Sequence, residues 1–565
     1  MSAAISTDVL VVGAGPVGSL IGLGLARQGH DTIIIEKRLR DVQTTFGRAT
    51  TLYPRSLELL EQVDLAETFL QAGFIARTAL NFRNGRRVNE RGWQSMFEPF
   101  RDSFHDCCVN IRQKNSEELI LKKYRGDSGK DVWYGWKLET FQIDEGLQDG
   151  YNVSATLSHV EKGNLEVRCK YIIGADGGSS TVRHLANIQM EGSNTVFQWI
   201  RMDGKMKTSM PDANIGFAAV ETAQHGNVLW VKLDEDAHRI GFAVTPPLLA
   251  KYPNGITEQD AIKEAGEAMK PFTLQIERLD WWTQYRIRQT VATTLQHDKY
   301  VLLAGDAAHT HSSGFAQGMN TGIHDSMNLV WKLSGVLKGW YKPDVLTTYN
   351  SERHAAAKQL ISIDMEAASL ITGNIPEKYQ PLGLDADTLL MKVQNENMRF
   401  TSGLGVKYTK NFLNKDSQAT VLDSGSRAPD ALIRGPGVNV LFRLPEKFLH
   451  AQPSGWSVLV FAGDYRSSRY QVNAMREHTD RLQKRPGVLR VATILSGPSV
   501  DSWTAFGGPP LGKLYFDADG SAHARYGVSL TSSAVVVIRP DSIIAFATTL
   551  DQGGRIEAYF DTIFQ

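Results

Sequence analysis

Cysteine is scarce in this chain, with three residues in 565: Cys107, Cys108 and Cys169. Three thiols make no disulfide framework, and no CxxC or zinc-type spacing occurs, which fits a reducing compartment. The adjacent Cys107-Cys108 is read as packing, because vicinal cysteines rarely form an unstrained disulfide. Net charge is missing too: Lys+Arg and Asp+Glu stand at 61 each, so no global field attracts nucleic acid or an anionic membrane. No uncharged apolar run approaches the ~20 residues needed to span a bilayer. A first strand is under way by Val9, which leaves no room for a signal core, and the terminal DTIFQ is no known address. These absences predict a soluble, cytoplasmic protein with neither nucleic acid nor membrane as a partner. Repeats and low-complexity tracts are likewise lacking, and the length allows two or three domains.

What the chain does have is two strand–glycine turn–helix units nearly 300 residues apart. The first, VLVVGAGPVGSL, places Gly13, Gly15, Pro16 and Gly18 between a strand at 8–12 and an apolar-faced helix at 17–28. In such a turn the first glycine permits the bend, the second lets a pyrophosphate approach the backbone, and the third allows helix and strand to pack closely. The helix N-terminus offers partial positive charge and free N–H groups to phosphate. A second strand, 31–36, ends at Glu36 with Lys37 beside it, and Glu36 is placed to accept hydrogen bonds from ribose hydroxyls. The second unit, VLLAGDAAHTHSSGFAQGMNTGIHDSMNLVWKL at 301–333, is the more informative one. Gly305-Asp306 ends a buried strand, where the carboxylate suits ribityl hydroxyls. The turn through Ala316, Gln317, Gly318, Met319 and Asn320 starts a long helix whose N-terminus suits the N1–C2=O edge of a flavin. One such turn does not separate NAD from FAD; the pair points to a single extended FAD between them.

Elsewhere, 53–73 shows helical periodicity with a glycine stop, and 343–372 and about 385–413 look helical. Alternating, aromatic-rich stretches at about 75–110 and 190–290 predict antiparallel strands inserted between the halves of the nucleotide-binding domain. The segment LNKDSQATVLDSGSRAPD lacks periodicity and is taken as a boundary. The expected organisation is therefore a cofactor domain at 1–190 and 290–375 and a sheet domain at 190–290, to which parts of 75–110 contribute. A helical connection at 375–420 and a small α/β domain at 421–565 complete it.

On GAGPVG, the internal GADGGSSTVR and the long run with HTHS and QGMNTG, the chain resembles the phenol hydroxylase branch of the class A FAD-dependent aromatic monooxygenases. FTSGLGVKY at 400–408 and GSRAPD at 425–430 extend the likeness over most of its length. The resemblance implies an α/β fold: a Rossmann-like FAD-binding domain, an inserted mixed β-sheet substrate domain and a C-terminal thioredoxin-like domain. With no cysteine in it, that last domain can serve packing or homodimer contact but not thiol chemistry.

The resemblance also implies roles for single residues. Asp176-Gly177 serves FAD and transient NAD(P)H binding, Arg48 lies on the flavin side of the site, and Gln113 hydrogen-bonds the cofactor. Tyr285 sits at the flavin–substrate interface, where its phenol can hydrogen-bond the substrate oxygen. Phenol hydroxylases carry an aspartate just after the Arg48 position; here Thr50 stands there, and a hydroxyl is no base at neutral pH. His309 and His311 lie near the flavin by motif, with a structural role favoured over proton transfer. Trp199, Trp230, Trp281 and Trp282 are either a wall for an aromatic ligand or ordinary core. The implied activity is NADPH- or NADH-dependent hydroxylation, with O₂, of a substituted phenol or polyketide-like aromatic through a C4a-hydroperoxyflavin. Baeyer–Villiger oxygenation on the same fold and a non-catalytic flavin- or ligand-binding protein are the alternatives.

Overall fold

A computed structural model of the chain describes residues 5–43, 49–88, 93–222, 224–312, 314–371, 373–450, 455–484, 489–531 and 533–565. Among these, three large sheets of eight, eight and seven strands carry the architecture, with a small three-stranded sheet beside them. In the first sheet, Ile5–Val12 pairs in parallel with Thr32–Glu36 on one side and Gly163–Gly174 on the other. The latter pairs in turn, also in parallel, with Val301–Leu303. A central parallel strand is covered on both faces, so Val9, Leu10 and Val11 form a continuous apolar run and all are fully buried. The helix Pro16–Arg27 follows, its proline at the first turn where a missing N–H is harmless. Residues 53–73 form two helices, Pro54–Glu61 and Ala66–Ala72, rather than one. Asp64 turns the chain at a φ of 54° and returns buried Leu65 to the core.

The second sheet is built on two antiparallel strands of 19 residues, Met190–Thr208 and Leu274–Ala292. Its far side takes in Ala79–Arg83, which pairs in parallel with Phe217–Thr222, so a segment from early in the chain completes it. The stretch 190–290 is not all strand. The helices Pro246–Lys251 and Glu258–Ala268 interrupt it, the second started by a reciprocal Thr257–Asp260 capping box. Ala261 and Ala265 of that helix pack on Phe82, Ile200, Met202 and Ile240, covering one face of the sheet. The opposite face is left to the cofactor side.

The seven-stranded sheet has Trp456–Gly463 parallel to Leu489–Ser496, with helix Tyr465–Gln483 between them, and the antiparallel hairpin Ala534–Ile538/Ile544–Thr549 on its other side. Before it, helix Ala386–Thr401 ends well short of residue 413, because Gly403 reverses the backbone at a φ of 78°.

One helix joins the first sheet to the C-terminal domain. Eighteen of the 21 residues of Gln317–Leu337 are buried, and a helix buried all round needs partners on every side. Ile323, Met327 and Leu329 pack under the first sheet, whereas Trp331 belongs to the core of the C-terminal domain. Its polar residues are tied into a buried ionic network. Glu352 accepts from Lys332 Nζ at 2.7 Å and from both terminal nitrogens of Arg539, at 2.6 and 2.9 Å. Arg539 also holds Asp541, and Asn328 bridges Asp541 and Glu352. Burial alone would raise the Glu352 carboxyl, but Arg539 and Lys332 hold it well below the usual carboxylate range. Burial pushes the Lys332 ammonium down to about 8.

Candidate flavin site

The two glycine turns meet at one cavity of about 910 Å³. That lies at the upper end of the range for small-molecule sites, as an extended dinucleotide with a second ligand requires. At Gly13 (φ 105°) a Cβ would lie 2.4 Å from the Ala175 carbonyl oxygen, so strand, turn and neighbouring strand are in backbone contact. At Gly15 a Cβ would meet nothing within 4 Å: the turn is closed at its first glycine and open to the cavity at its second. Gly18 lies off the cavity wall and packs on the Gly13 carbonyl. The turns also interlock, because Val17 fills the space that a Cβ on Gly305 or Gly322 would need.

Carboxylates line the long axis. Glu36 accepts from the Ala14 N–H at 3.2 Å and from the Arg38 N–H at 3.0 Å, with Lys37 beside it on the wall. Asp176 accepts from the Thr181 N–H through Oδ2 at 2.6 Å, while its buried Oδ1 has no partner among the described residues. Asp306 presents its carboxylate to the cavity, and Gly177 borders it. Gln113 also lines it, with Oε1 accepting from the Ala49 N–H at 3.3 Å and Nε2 donating to Glu117 at 2.8 Å. Burial pushes the Glu117 carboxyl up to about 7.

At the far end, Ala316 caps helix Gln317–Leu337 in a left-handed conformation, at a φ of 52°. A side-chain-bearing residue held there is strained, which is characteristic of functional turns. The bend brings the backbone of Ala316, Gln317, Gly318 and Met319 to the wall. Gln317 Nε2 donates to the Phe315 carbonyl (3.2 Å) and to that of Thr401, so its side chain braces the turn from behind. Asn320 lies off the wall as well: it accepts from the Tyr53 N–H at 2.9 Å and donates to the Thr51 and Ala316 carbonyls, each at 2.8 Å. His309 is buried against Asp325 at 2.7 Å, and Asp325 also accepts from the Gly305 N–H. His311 borders the cavity. Arg48 lies outside the described residues.

These features fit FAD. An orphaned buried carboxylate oxygen, an open pyrophosphate turn and a helix N-terminus stand along one cavity, and Glu36 and Asp306 on its wall offer carboxylates to sugar-like hydroxyls.

Sequence reasoning missed what the second sheet adds. Register places Arg239 opposite Asp203 and Val231, and Asp203 opposite Trp281. Arg239 grips Asp203 with two hydrogen bonds of 2.6 and 2.7 Å and reaches Thr50 Oγ1 at 3.3 Å, all three residues being buried. Trp199 stands opposite Tyr285, and Arg201 lies over its ring at 4.7 Å. Tyr285, Trp281, Phe217, Arg201 and Arg239 all face the cavity. The four tryptophans divide: Trp199 and Trp281 line cavities, whereas Trp230 is fully buried and Trp282 packs against the outer core. A buried arginine beside a threonine 189 positions away leaves no local sequence signal.

Comparison with known proteins agrees with this geometry. A model described as FAD binding domain matches residues 6–364, and one described as phenol hydroxylase, C-terminal dimerisation domain, matches residues 499–565. The 3-hydroxybenzoate 4-monooxygenase of Comamonas testosteroni is 26% identical, over 99% of this chain and 95% of its own. A phenol 2-monooxygenase of Aspergillus fumigatus is also 26% identical, over 98% and 96%. Among solved structures, the flavin-dependent monooxygenase PieE with FAD and substrate superposes with a TM-score of 0.76 at 16% identity, covering 99% of both chains. Aklavinone-11 hydroxylase with FAD and aklavinone gives 0.74 at 21%, covering 98% of both. At these identities the structural likeness speaks for the fold. With its cofactor turns, its inserted sheet and its C-terminal dimerisation domain, the chain belongs to the FAD-binding family of flavin-dependent monooxygenases.

Proposed function

We propose that this protein hydroxylates a substituted phenolic ring, with NAD(P)H and O₂ as co-substrates. The observation that carries the proposal is the continuity of the cavity. It runs past the N-terminus of helix Gln317–Leu337, where the flavin ring belongs, onto the aromatic and basic sheet face of Phe217, Trp281, Tyr285 and Arg239. Bound FAD supplies hydride acceptance and oxygen activation; the chain supplies position, electrostatics and exclusion of water. The Tyr285 hydroxyl donates a hydrogen bond to the substrate's phenolic oxygen and favours its ionised form. Thr50 is not a base and is held by Arg239, so the chain abstracts no proton there. With Arg239 paired to Asp203 and no base beside Thr50, the site suits a phenol acidic enough to arrive ionised. Arg286 and Arg288, exposed on the cavity rim, offer positive charge to the phosphates of the reducing nucleotide. Among the described residues no helix is long and apolar enough to cross a membrane, and the dimerisation-domain match supports a homodimer.

The test is a screen of NADPH and NADH oxidation and oxygen uptake over phenols of graded size and acidity, with product mass spectrometry. A product heavier by one oxygen with its ring intact is the expected result. Absence of ligand-stimulated oxygen uptake across the panel overturns the proposal.

A further inference from the structure

The flavin cavity has a neighbour. A second space of about 100 Å³ lies between the same sheet face and the helices Thr347–Ile371 and Ala386–Thr401. Arg201, Leu229 and Ser312 line both spaces, so the two adjoin through a sill made by these three residues. The sill is rigid, because Asp364 accepts from both the backbone N–H and the hydroxyl of Ser312. Strand register sets out the floor. Asn81 stands beside Ala219, Ala219 beside Leu229, Leu229 beside Gly241, and Gly241 beside Arg201. Gly241 has a reason to be glycine: a Cβ there would lie 2.2 Å from Arg201 Nη1. The arginine therefore lies over Gly241 and borders both spaces.

The wall is mixed: Val228, Phe315, Ala368, Ile371 and Leu390 make its apolar part, and Glu221, Asn227, Asp387 and Gln394 add polar side chains. Asn81 differs from these in its unmet hydrogen-bonding capacity. It is 5% exposed, it lines this space, and its Nδ2 has no hydrogen-bond partner among the described residues. A buried amide left without a partner is unfavourable unless a ligand supplies an acceptor.

We propose that this second space binds a substituent of the aromatic substrate whose ring lies in the flavin cavity, and that Asn81 Nδ2 donates a hydrogen bond to an acceptor on that substituent. The inference rests on the proposed function and names its substrate class. A cavity of about 150 Å³ accommodates benzene, so this one suits a group smaller than a ring, of about four heavy atoms. A short acyl chain, a carbonyl with apolar carbons beyond it, matches both the volume and the donor. Asn81 is a specificity-determining residue in this scheme and takes no part in the chemistry.

The experiment titrates the FAD-loaded enzyme with phenol and with its propanoyl and sec-butyl derivatives, each substituted at the meta or para position, following the flavin absorbance. The two substituents have nearly the same shape and differ in the carbonyl. Wild-type protein is expected to bind at least one propanoyl isomer roughly tenfold more tightly than its sec-butyl counterpart, as a site built around a buried donor does. Asn81→Leu, close in volume, should reduce that ratio to near one and leave FAD content and phenol affinity unchanged. Ala368→Met, which fills the space from the helix side, should weaken both derivatives and spare phenol. A ratio that survives Asn81→Leu overturns the inference, as do substituted phenols indifferent to both variants, and the proposed function then still stands. If no phenol perturbs the flavin at all, both fall together.

Discussion

Replacing Glu352 by Gln should do more damage than its distance from the cofactor suggests. Glu352, Lys332 and Arg539 are fully buried and Asp541 nearly so, and their formal charges cancel. The amide keeps the shape of the carboxylate but leaves the network one positive charge in excess, with Lys332 and part of Arg539 uncompensated. Breaking a buried pair by removing one partner costs about 3–5 kcal/mol. At about 2 °C per kcal/mol, suited to a large cooperative unit, the melting temperature should fall by roughly 6–10 °C. The network joins helix Gln317–Leu337 to the C-terminal sheet, so flavin release, read as the rise in flavin fluorescence, should shift by the same amount as the tryptophan signal. Adding Lys332→Met removes the excess charge, and the double variant should regain most of the loss. A single variant that melts within 1–2 °C of wild type, or a double variant worse than the single, refutes the charge-balance argument.

Other expectations follow from the site. Gly18→Val would place a Cβ 1.9 Å from the Gly13 carbonyl oxygen, and the purified protein should lose most of its bound FAD by absorbance. Glu117, raised to about 7 in the folded chain against 4.5 in the unfolded one, keeps its proton longer when folded. It therefore subtracts stability progressively as pH rises from 4.5 to 7, so Glu117→Gln should melt above wild type at pH 8 and level with it near pH 4.5. Tyr285→Phe should retain FAD at wild-type levels while product formed per NAD(P)H consumed drops at least several-fold; unchanged coupling would remove the tyrosine from its assigned role. Thr50→Asp sets a carboxylate beside Arg239 and should shift relative rates toward less acidic phenols, measured as kcat/KM across the graded panel.

The cofactor half of the site was legible because its determinants are local. A strand, a glycine turn and a helix N-terminus occupy twelve consecutive residues at 9–20 and twenty at 301–320, so spacing alone conveys their geometry. On the substrate side Tyr285, Thr50 and Trp281 could be named from the sequence, whereas Asn81, Arg201 and Arg239 were hidden because their placement is a product of register. Nothing near Asn81 announces Ala219, Leu229 and Arg201 as its row-mates; only pairing across five strands aligns them. The split of 53–73 into two helices depended on a single left-handed aspartate, and the early end of the helix at Thr401 on Gly403. Gln317 and Asn320 belong to a motif that reads as ligand contact, yet their side chains turn inward and hold the turn from behind. The Glu352 network was invisible for a different reason: charged residues in a sequence are ordinarily assigned to the surface.

The all-round burial of helix Gln317–Leu337 also constrains the order of biosynthesis. Trp331 and Lys332 emerge from the ribosome roughly two hundred residues before Arg539 and Asp541, which cover them. Through that interval the nascent chain carries an apolar indole and a cation with no final home, at the far end of the helix that begins at the flavin turn. The packing of this end of the helix must therefore wait for the last strands of the polypeptide. A ribosome stalled a few dozen codons early would hold a flavin domain that has every cofactor contact in its sequence and lacks that packing.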